Sequence, residues 1–413
     1  MASFRAVMRS GHPPTLFAAF LYFDFCFAIW VLNGAMGPFL TETFHLSPAQ
    51  TGLMVSVPTL AGALMRFPLG VLSQYIGRKT AAIVEMSLII VAMLYGWLFV
   101  GTFGDVMAMG VLLGIAGASF GVALSLGAGW FPREHKGLAM GIAGAGNSGT
   151  VLALLLAPPL ARAYGWHAVY GFAALFMAVP LLVMLVFAKE PPDQEHQSLR
   201  EHVQCLWEAD GWAFNLIYII TFGGFIGLST FLPSFFYAQF GVSKVAAGQL
   251  TVLAAIMGSA IRIVGGWVSD RIGGIVMLSI VLVAAIGVFL CLTASPSLAV
   301  TTGLFMVCFA LLGAGNGALF QLVPLRWPNN TAAASSMIGE IGALGGAILP
   351  NVMGLSRQWT GNFGPGFLIY ALFTAVVLAG LRLWQRRWTR TWVGPGGRVR
   401  AVQQLGEPVA AGT

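Results

Sequence analysis

Long, nearly uninterrupted apolar segments recur along the whole chain, separated by short polar connections. A helix needs about 20 apolar residues to cross the core of a bilayer, and only helices or closed barrels can span it with every backbone group hydrogen-bonded. The segments are continuous and do not alternate over short distances, so the pattern predicts helices rather than a barrel. Twelve spans are predicted, at residues 15–40, 51–74, 80–101, 105–131, 137–161, 166–188, 212–238, 246–269, 274–295, 298–324, 331–356 and 366–384.

The longest polar connection, residues 189–211, divides these spans into six plus six and holds six of the 14 acidic residues. We therefore expect an N-terminal six-helix bundle at 1–188, a cytoplasmic linker at 189–211, a C-terminal six-helix bundle at 212–388 and a cytoplasmic tail at 389–413. The first apolar segment is too long for a cleavable signal peptide and has no cleavage pattern behind it. The predicted class is an all-α membrane protein of two pseudo-symmetric bundles.

Composition agrees with this class and excludes others. Only 8% of the 413 residues are charged and 58% are hydrophobic, with a mean hydropathy of +0.84, whereas soluble proteins carry about 25% charged residues. A soluble enzyme, a disordered protein and a nucleic-acid-binding protein are thereby excluded, and no nucleophile–base or metal cluster suggests an enzyme. Neither the four cysteines nor the six histidines show ligand spacing, so no metal and no cofactor is expected.

The basic residues predict the orientation, because Lys and Arg concentrate on the cytoplasmic side of membrane proteins. With the N-terminus inside, 16 basic residues lie on the inner side and three, Arg162, Lys244 and Arg357, on the outer side. The inner set comprises Arg5, Arg9, Arg78, Lys79, Arg133, Lys136, Lys189, Arg200, Arg271, Arg326 and the six arginines from Arg382 onward. Both termini are expected in the cytoplasm, and topology accounts for the basic pI.

Two arginines, Arg66 and Arg262, lie deep inside apolar spans, where each costs about 2.5–3.5 kcal/mol to insert. They are related by an offset of 196 residues that also aligns Gly70 with Gly266, Ser73 with Ser269, Ile76 with Ile272 and Gly77 with Gly273. An internal repeat of this kind, with a polar site where the two halves meet, is typical of transporters.

Two guanidinium groups at matching depth would repel each other unless an anion lay between them. The planar donor fork of arginine suits a planar oxyanion, whereas lysine acts as a point charge. The deep cations are both arginine, and the four lysines lie at loops. The alternative is that each arginine is the structural partner of Asp24, Glu85 or Glu340.

A second motif lies in the inner loops. The segment GVLSQYIGRK (70–79) fits the loop between the second and third helices of the major facilitator superfamily, and residues 266–273 repeat it. The first copy has Gln74 where the superfamily usually has an aspartate, while the second copy keeps Asp270, so a carboxylate–arginine lock would be weaker in the first half. We interpret six residues as gating and topology elements: Gly70, Gly77, Arg78, Gly266, Asp270 and Arg271.

Glycines cluster in four helices, in GIAGASFG (114–121), GIAGAGNSG (141–149), GAGNG (313–317) and GEIGALGG (339–346). Small residues let helix backbones approach closely, which fits static packing as well as helices that slide during alternating access. Asn147, a polar amide within the second run, needs a partner and favours a functional role.

The glycine run ending in GAGNSG, together with the deep arginines of the second and eighth helices, resembles the nitrate/nitrite porter family of the major facilitator superfamily. The resemblance covers all twelve spans. It implies that nitrate or nitrite binds between Arg66 and Arg262, sandwiched by aromatic rings. The implied site residues are Arg66, Arg262, Phe120, Asn147, Tyr218 and Phe222.

Coupling is left open by the residues, because the family divides between proton-coupled uptake and nitrate/nitrite exchange. A symporter needs a carboxyl that can take up a proton, and Asp24 and Glu340 are the candidates. Glu340 stands where the family pattern has a small or hydroxyl residue. Glu85, six residues after Lys79, is interpreted as part of the cytoplasmic charge network.

The favoured hypothesis is a monomeric, multi-pass transporter of the bacterial inner membrane that takes up nitrate or nitrite with protons, by rocking of its two halves. The alternatives are a nitrate/nitrite antiporter, a carrier of another small anion such as cyanate or formate, and a transporter-like anion sensor. The linker and tail are too short for a signalling domain, which disfavours the sensor. The expected partners are nitrate, nitrite, protons as the coupling ion, and the lipid bilayer, without nucleic acid.

Overall fold

The computed structural model describes residues 10–192, 203–328 and 330–399, without the side chains of residues 133–138 and 332. Within these ranges every regular element is helical, and twelve helices are long and apolar enough to cross a membrane. They are α1 (Pro13–Trp30), α2 (Pro48–Ile76), α3 (Arg78–Leu98), α4 (Phe103–Ala128), α5 (Ala139–Tyr164), α6 (Trp166–Phe187), α7 (Ala209–Phe240), α8 (Lys244–Ile272), α9 (Gly274–Thr293), α10 (Leu298–Arg326), α11 (Ala333–Thr360) and α12 (Gly364–Thr391). The predicted all-α, twelve-span class is confirmed.

Some predicted features lie outside the described residues: Arg5, Arg9, Arg200, the side chains of Arg133 and Lys136, linker residues 193–202 and tail residues 400–413. One predicted span differs from the structure. The span at 15–40 is interrupted at Val31 and Met36, where short helices Leu32–Ala35 and Gly37–Thr43 follow α1. Apolar residues continue through both interruptions, so the hydrophobic pattern alone does not reveal them.

Single glycines connect α2 to α3 and α8 to α9. Gly77 has φ 89° and Gly273 has φ 97°, a conformation that residues with a Cβ rarely adopt. Because the two glycines are related by the same offset as the deep arginines, the repeat seen in the sequence is also a repeat of backbone conformation.

The chain divides into two compact units. Unit 1 comprises Met1–Ser198 and Ser229–Val252, and unit 2 comprises Leu199–Leu228 and Leu253–Thr413. The segment Ser229–Val252 belongs to the predicted second bundle by sequence, yet it packs within unit 1, where Thr230 lies against Gly34 and Gly248 against Pro158. The six-plus-six division of the chain stays a prediction.

In unit 1, a reciprocal pair of caps joins α3 to the end of α6. The Glu190 carboxylate accepts hydrogen bonds from the backbone N–H groups of Arg78 (2.7 Å) and Lys79 (2.8 Å) at the start of α3. The Lys79 ammonium donates to the carbonyl of Ala188 (2.7 Å), just after α6 ends. A carboxylate at a helix N-terminus and an ammonium at a C-terminus both complement the helix dipole. This pair of caps therefore fixes the loop motif at residues 70–79.

In unit 2, two linker acids hold α7, α10 and α12 together. The Arg326 guanidinium donates to Asp210 (2.6 Å) and to Glu208 (2.5 Å), and the Trp388 indole N–H donates to Asp210 (2.8 Å). The acidic composition of the linker thus has a structural use at the start of α7.

Candidate functional site

Arg66 lies in an aromatic cluster of unit 1. Its side chain is 4% exposed, and its guanidinium carbon lies 5.2 Å from the centroid of the Trp30 ring and 5.3 Å from that of Phe120. Its Nε donates a hydrogen bond to the carbonyl of Gly117 (2.9 Å). A cation within about 6 Å of a ring centroid is attracted by the ring quadrupole. The predicted pair Arg66 and Phe120 is therefore in direct contact, and Trp30 joins it.

Helix geometry explains this placement. α4 is interrupted at Ala118, between helical segments Phe103–Gly117 and Ser119–Ala128, and the Gly117 carbonyl accepts the Arg66 bond beside this break. A Cβ at Gly117 would lie 2.4 Å from the Trp30 ring, and one at Gly62 would lie 2.5 Å from its indole nitrogen. The two glycines form the slot for this indole, whose N–H donates to the carbonyl of Pro58 (2.7 Å).

Asn147 and Asp24 lie beside this cluster. α5 narrows to a 3₁₀ turn at Ala145–Ser148, which contains Asn147 (3% exposed), and the Ser148 hydroxyl donates to Asp24 (2.5 Å). Among the described residues, no hydrogen bond joins Asn147 to Arg66. Phe23 lies against Gly146 of this turn, and its ring centroid lies 5.4 Å from that of Phe120.

A second aromatic cluster surrounds Arg262 in unit 2. The Arg262 guanidinium carbon lies 5.9 Å from the centroid of Phe320, and Phe320 meets Tyr218 edge-on at 5.2 Å. Tyr218 stacks on Phe222 at 4.9 Å with 6° between the ring planes. The predicted residues Arg262, Tyr218 and Phe222 are thus brought together, with Phe320 as the connecting ring.

A π-helical turn, Ile219–Gly223, interrupts α7 between Tyr218 and Gly224. Such turns occur mostly as single bulges and often at functional sites. It places the Tyr218 and Phe222 rings face to face. A Cβ at Gly342 of α11 would lie 2.2 Å from the Tyr218 ring, so the predicted glycine run at 339–346 lets α11 approach this pair closely.

Within the described residues, the carboxyls offered as structural partners form no ion pair with the deep arginine of their own unit. In the described part of the chain, Asp24 accepts from Ser148 and Glu85 accepts from Tyr22, and neither forms an ion pair with Arg66. Glu340 (5% exposed) accepts a hydrogen bond from Ser336 (3.0 Å), and no ion pair joins it to Arg262 within those ranges.

The placement of Glu85 contradicts its interpretation as part of a cytoplasmic charge network. Its side chain is 1% exposed, and it accepts a hydrogen bond from the buried Tyr22 hydroxyl. Lys79 instead donates to backbone carbonyls at the end of α6. The sequence alone does not distinguish a buried from a cytoplasmic placement of Glu85. A side chain seven residues along the helix from the loop could also reach the surface.

The gating residues lie at the ends of α2 and α8 and at the starts of the helices that follow. The Arg78 guanidinium donates to the carbonyl of Ser125 (3.2 Å), and the Arg271 guanidinium carbon lies 3.5 Å from the centroid of the Trp267 ring. Asp270 is exposed and forms no ion pair with any described residue. Gly70 has open space around it, and Gly266 packs loosely on Gly317.

Trp30 and Phe320 were missed by the sequence analysis, but Phe320 carried a signal. A shared pattern, glycine and alanine followed two residues later by phenylalanine, occurs in α4 (Gly117-Ala-Ser-Phe120) and in α10 (Gly317-Ala-Leu-Phe320). In each copy the phenylalanine ring lies over a deep arginine. The repeat therefore extends to the ring beside each guanidinium.

Comparison with known proteins assigns the chain to a family. The sequence profile of the Major Facilitator Superfamily matches residues 18–356. The chain belongs to this superfamily. The twelve apolar helices of its described residues make it a multi-pass membrane protein of this superfamily.

The resemblance to nitrate/nitrite porters is confirmed by curated relatives. The nitrite extrusion protein of Bacillus subtilis (strain 168) is 28% identical over 365 residues, covering 87% of this chain and 92% of the relative. The "Probable nitrate transporter NarT" of Staphylococcus haemolyticus (strain JCSC1435) is 28% identical over 84% of this chain and 90% of the relative. The "Probable nitrate/nitrite antiporter NarK1" of Thermus thermophilus is 29% identical, covering 89% and 90%.

Solved structures confirm the major facilitator fold. A bacterial homologue of the human lysosomal transporter Spinster, in an inward-facing and occupied conformation, matches with a TM-score of 0.70 and 18% identity, covering 92% of this superfamily member and 98% of that chain. The human organic anion transporter MFSD10 matches with a TM-score of 0.68 and 16% identity, covering 89% and 99%.

Proposed function

We propose that this superfamily member transports nitrate and nitrite across the bacterial inner membrane by alternating access. The observation that carries the proposal is the pair of deep arginines, at equivalent positions of an internal repeat, each lying against aromatic rings. The names of the curated relatives support the choice of anion.

The chemistry of the two clusters suits a small planar anion. A guanidinium offers a flat fork of donors to two oxygens of one anion, and aromatic faces favour a flat ligand over tetrahedral sulfate or phosphate. We assign anion binding to Arg66, Phe120 and Asn147 in unit 1 and to Arg262, Tyr218 and Phe222 in unit 2. Each cluster binds the anion during the transport cycle.

The proposed orientation places both termini in the cytoplasm, since 16 of the 19 loop and tail basic residues would then lie inside. In this orientation the caps made by Glu190 and Lys79 lie on the cytoplasmic side. The proposed working unit is a monomer surrounded by lipid.

We favour proton-coupled uptake, with nitrate/nitrite exchange as the second candidate. Exchange is favoured by one specific observation: among the relatives, one is named an antiporter and another an extrusion protein. Two buried carboxyls offered by the sequence, Asp24 and Glu340, are each 5% exposed, and each accepts a hydrogen bond from a serine.

The first test replaces each deep arginine by lysine. Uptake of labelled nitrate and nitrite by proteoliposomes containing Arg66→Lys or Arg262→Lys should fall about tenfold or more, because losing a charge-assisted hydrogen bond costs about 1.5–3 kcal/mol. Arg162→Lys, at an exposed arginine near the end of α5, is the matched control and should transport normally. Normal uptake in either deep variant would refute the proposed binding role.

A competition panel separates nitrate and nitrite from other small anions. Unlabelled nitrate and nitrite should inhibit labelled uptake, whereas sulfate and phosphate should not, since a tetrahedral anion does not fit between a guanidinium and flat rings. Stronger inhibition by cyanate or formate than by nitrate and nitrite would instead identify a carrier of another planar or linear anion.

A further inference from the structure

A buried carboxyl outside both aromatic clusters lies in α3 of unit 1. Glu85 is 1% exposed, and its partner Tyr22 in α1 is 0% exposed. The Tyr22 hydroxyl donates a hydrogen bond to one Glu85 oxygen, while the other, Oε1, is buried without a hydrogen-bond partner among the described residues. An ionisable group inside a membrane segment is costly, and such groups usually mark ion or proton pathways.

No positive charge compensates this carboxyl in the described ranges. The ionisable groups that face it are Tyr22 and Cys26, both in α1. On the helices that pack against α3, the other ionisable groups are engaged elsewhere or exposed: Asp24 with Ser148, Arg66 with Gly117, Asp105 with Thr102, His167 with Val100, Tyr170 with Asn33, and Tyr75 in the exposed class. An unpaired buried carboxylate is costly, so these surroundings favour the form that carries a proton.

The fold itself does not require a carboxyl at this position. Glu85 is eight residues after the junction glycine Gly77, and the residue eight positions after Gly273 is Val281, which is fully buried. Tyr22 corresponds to Tyr218 by the same offset of 196. The second half of the repeat thus keeps the tyrosine and places an apolar side chain where the first half has Glu85, so the carboxyl has a use other than packing.

The pair is connected to the Arg66 cluster. Phe23, next to Tyr22 in α1, places its ring 5.4 Å from Phe120, and Phe120 lies under the Arg66 guanidinium at 5.3 Å. A change in the hydrogen bond of Tyr22 can therefore reach the predicted anion site through its neighbour in α1, Phe23, and the contact of Phe23 with Phe120.

We propose that Glu85 is a proton-binding site of the transport cycle and that Tyr22 orients its carboxyl. The inference rests on the proposed anion transport and assigns its coupling ion. The proton adds to one oxygen of the Glu85 carboxylate when the carrier loads and leaves from that oxygen on release, and no other bond changes. One proton carried with one nitrate makes the movement electroneutral.

The test compares two activities of Glu85→Gln in proteoliposomes. Exchange of labelled for unlabelled nitrate or nitrite, which needs no net proton movement, should be retained. Nitrate or nitrite uptake driven by an imposed pH gradient, together with the accompanying proton flux, should fall to the level of protein-free liposomes. Tyr22→Phe should keep coupled uptake but change its pH dependence.

Each outcome decides between the proposals. Coupled uptake by Glu85→Gln equal to that of the unmodified protein, or loss of coupling in Asp24→Asn or Glu340→Gln with coupling retained in Glu85→Gln, would overturn the role of Glu85. Anion exchange by the unmodified protein, with neither uptake nor proton flux under an imposed pH gradient, would overturn it while leaving anion transport intact. Absence of both exchange and uptake in the unmodified protein would instead refute the proposed function.

A spectroscopic measurement covers the case in which Glu85→Gln does not fold. Infrared difference spectra recorded across pH should contain the carbonyl band of a protonated carboxyl. This band should shift in Tyr22→Phe and stay unchanged in Glu340→Gln. A spectrum unaffected by Tyr22→Phe, with an unaltered pH profile of uptake, would contradict the proposal.

Discussion

At Arg66 a single indole holds the guanidinium in place from one side. Trp30 is 1% exposed, its N–H is bound to Pro58, and its ring lies beside two glycines that leave room for nothing larger. Sequence reasoning found Arg66 because a cation inside an apolar span is conspicuous. It could not find Trp30, because one more aromatic residue in an apolar helix looks like ordinary packing.

Replacing Trp30 tests whether this ring positions Arg66. In Trp30→Leu we expect the KM for nitrate to rise roughly 2- to 30-fold, because a desolvated cation–π contact contributes about 0.5–2 kcal/mol. Trp30→Phe, which keeps a ring, should recover most of the affinity. The measurement is the concentration dependence of initial uptake, which separates KM from maximal rate.

Trp207→Leu is the matched control, since Trp207 is 82% exposed. A purely structural role for Trp30 would lower the maximal rate through loss of folded protein, leave KM unchanged, and show no recovery in Trp30→Phe. That result would contradict the positioning role.

At the scale of the helix, three irregular turns coincide with predicted site residues. α4 breaks at Ala118 beside Phe120, α5 has a 3₁₀ turn containing Asn147, and α7 has a π turn adjoining Tyr218. Hydrophobic patterning predicts where a span begins and ends, because apolar side chains face lipid or core over its whole length. The hydrophobic pattern does not change where the backbone hydrogen bonding changes in the middle of a span. These three turns could therefore not be predicted from the pattern.

The junction glycines give a prediction about helix connections. Alanine at either position would adopt a backbone conformation that costs roughly 1–3 kcal/mol. A Cβ at Gly273 would also lie 2.1 Å from the backbone carbonyl oxygen of Gly396, whereas at Gly77 the nearest atom is 3.0 Å away in the flexible Glu190 side chain. Gly273→Ala should therefore lower the thermal unfolding midpoint of the purified protein more than Gly77→Ala.

Gly287→Ala is the control for this comparison, because Gly287 lies within α9 with nothing within 4 Å of an added Cβ. Alanine is the better helix former, so its midpoint should be unchanged or higher. Equal midpoints for Gly77→Ala and Gly273→Ala would show that the approach of Gly396 does not constrain the second junction.

At the scale of the whole molecule, the internal repeat accounts for what the sequence could predict. One offset relates Arg66 to Arg262 and Gly77 to Gly273, and the matching conformations of the two glycines follow it. Departures from the repeat could not be predicted in the same way. Glu85 has no counterpart in the second half, and the packing of Ser229–Val252 within unit 1 depends on contacts distant in sequence.

One contact that holds this segment within unit 1 is titratable. Glu42, in the short helix Gly37–Thr43, pairs with Lys244 (2.7 Å) and accepts a hydrogen bond from Tyr237 (2.9 Å). The hydrogen bond from Lys244, followed by that from Tyr237, holds the pKa of Glu42 below its ordinary value. A carboxyl whose pKa is lower in the folded state stabilises that state at neutral pH, and the contribution is lost as pH falls through the folded-state pKa.

We therefore expect Glu42→Gln to lower the unfolding midpoint at neutral pH and to converge with the unmodified protein in acid. The effect should be small and weakened by salt, because Glu42 is exposed and Lys244 only partly buried. Lys244→Met should behave in the same way, and adding it to Glu42→Gln should cause little further loss, since both variants remove the same interaction. A midpoint difference between Glu42→Gln and the unmodified protein that persists at low pH would show that Glu42 stabilises the fold through packing rather than through its charge.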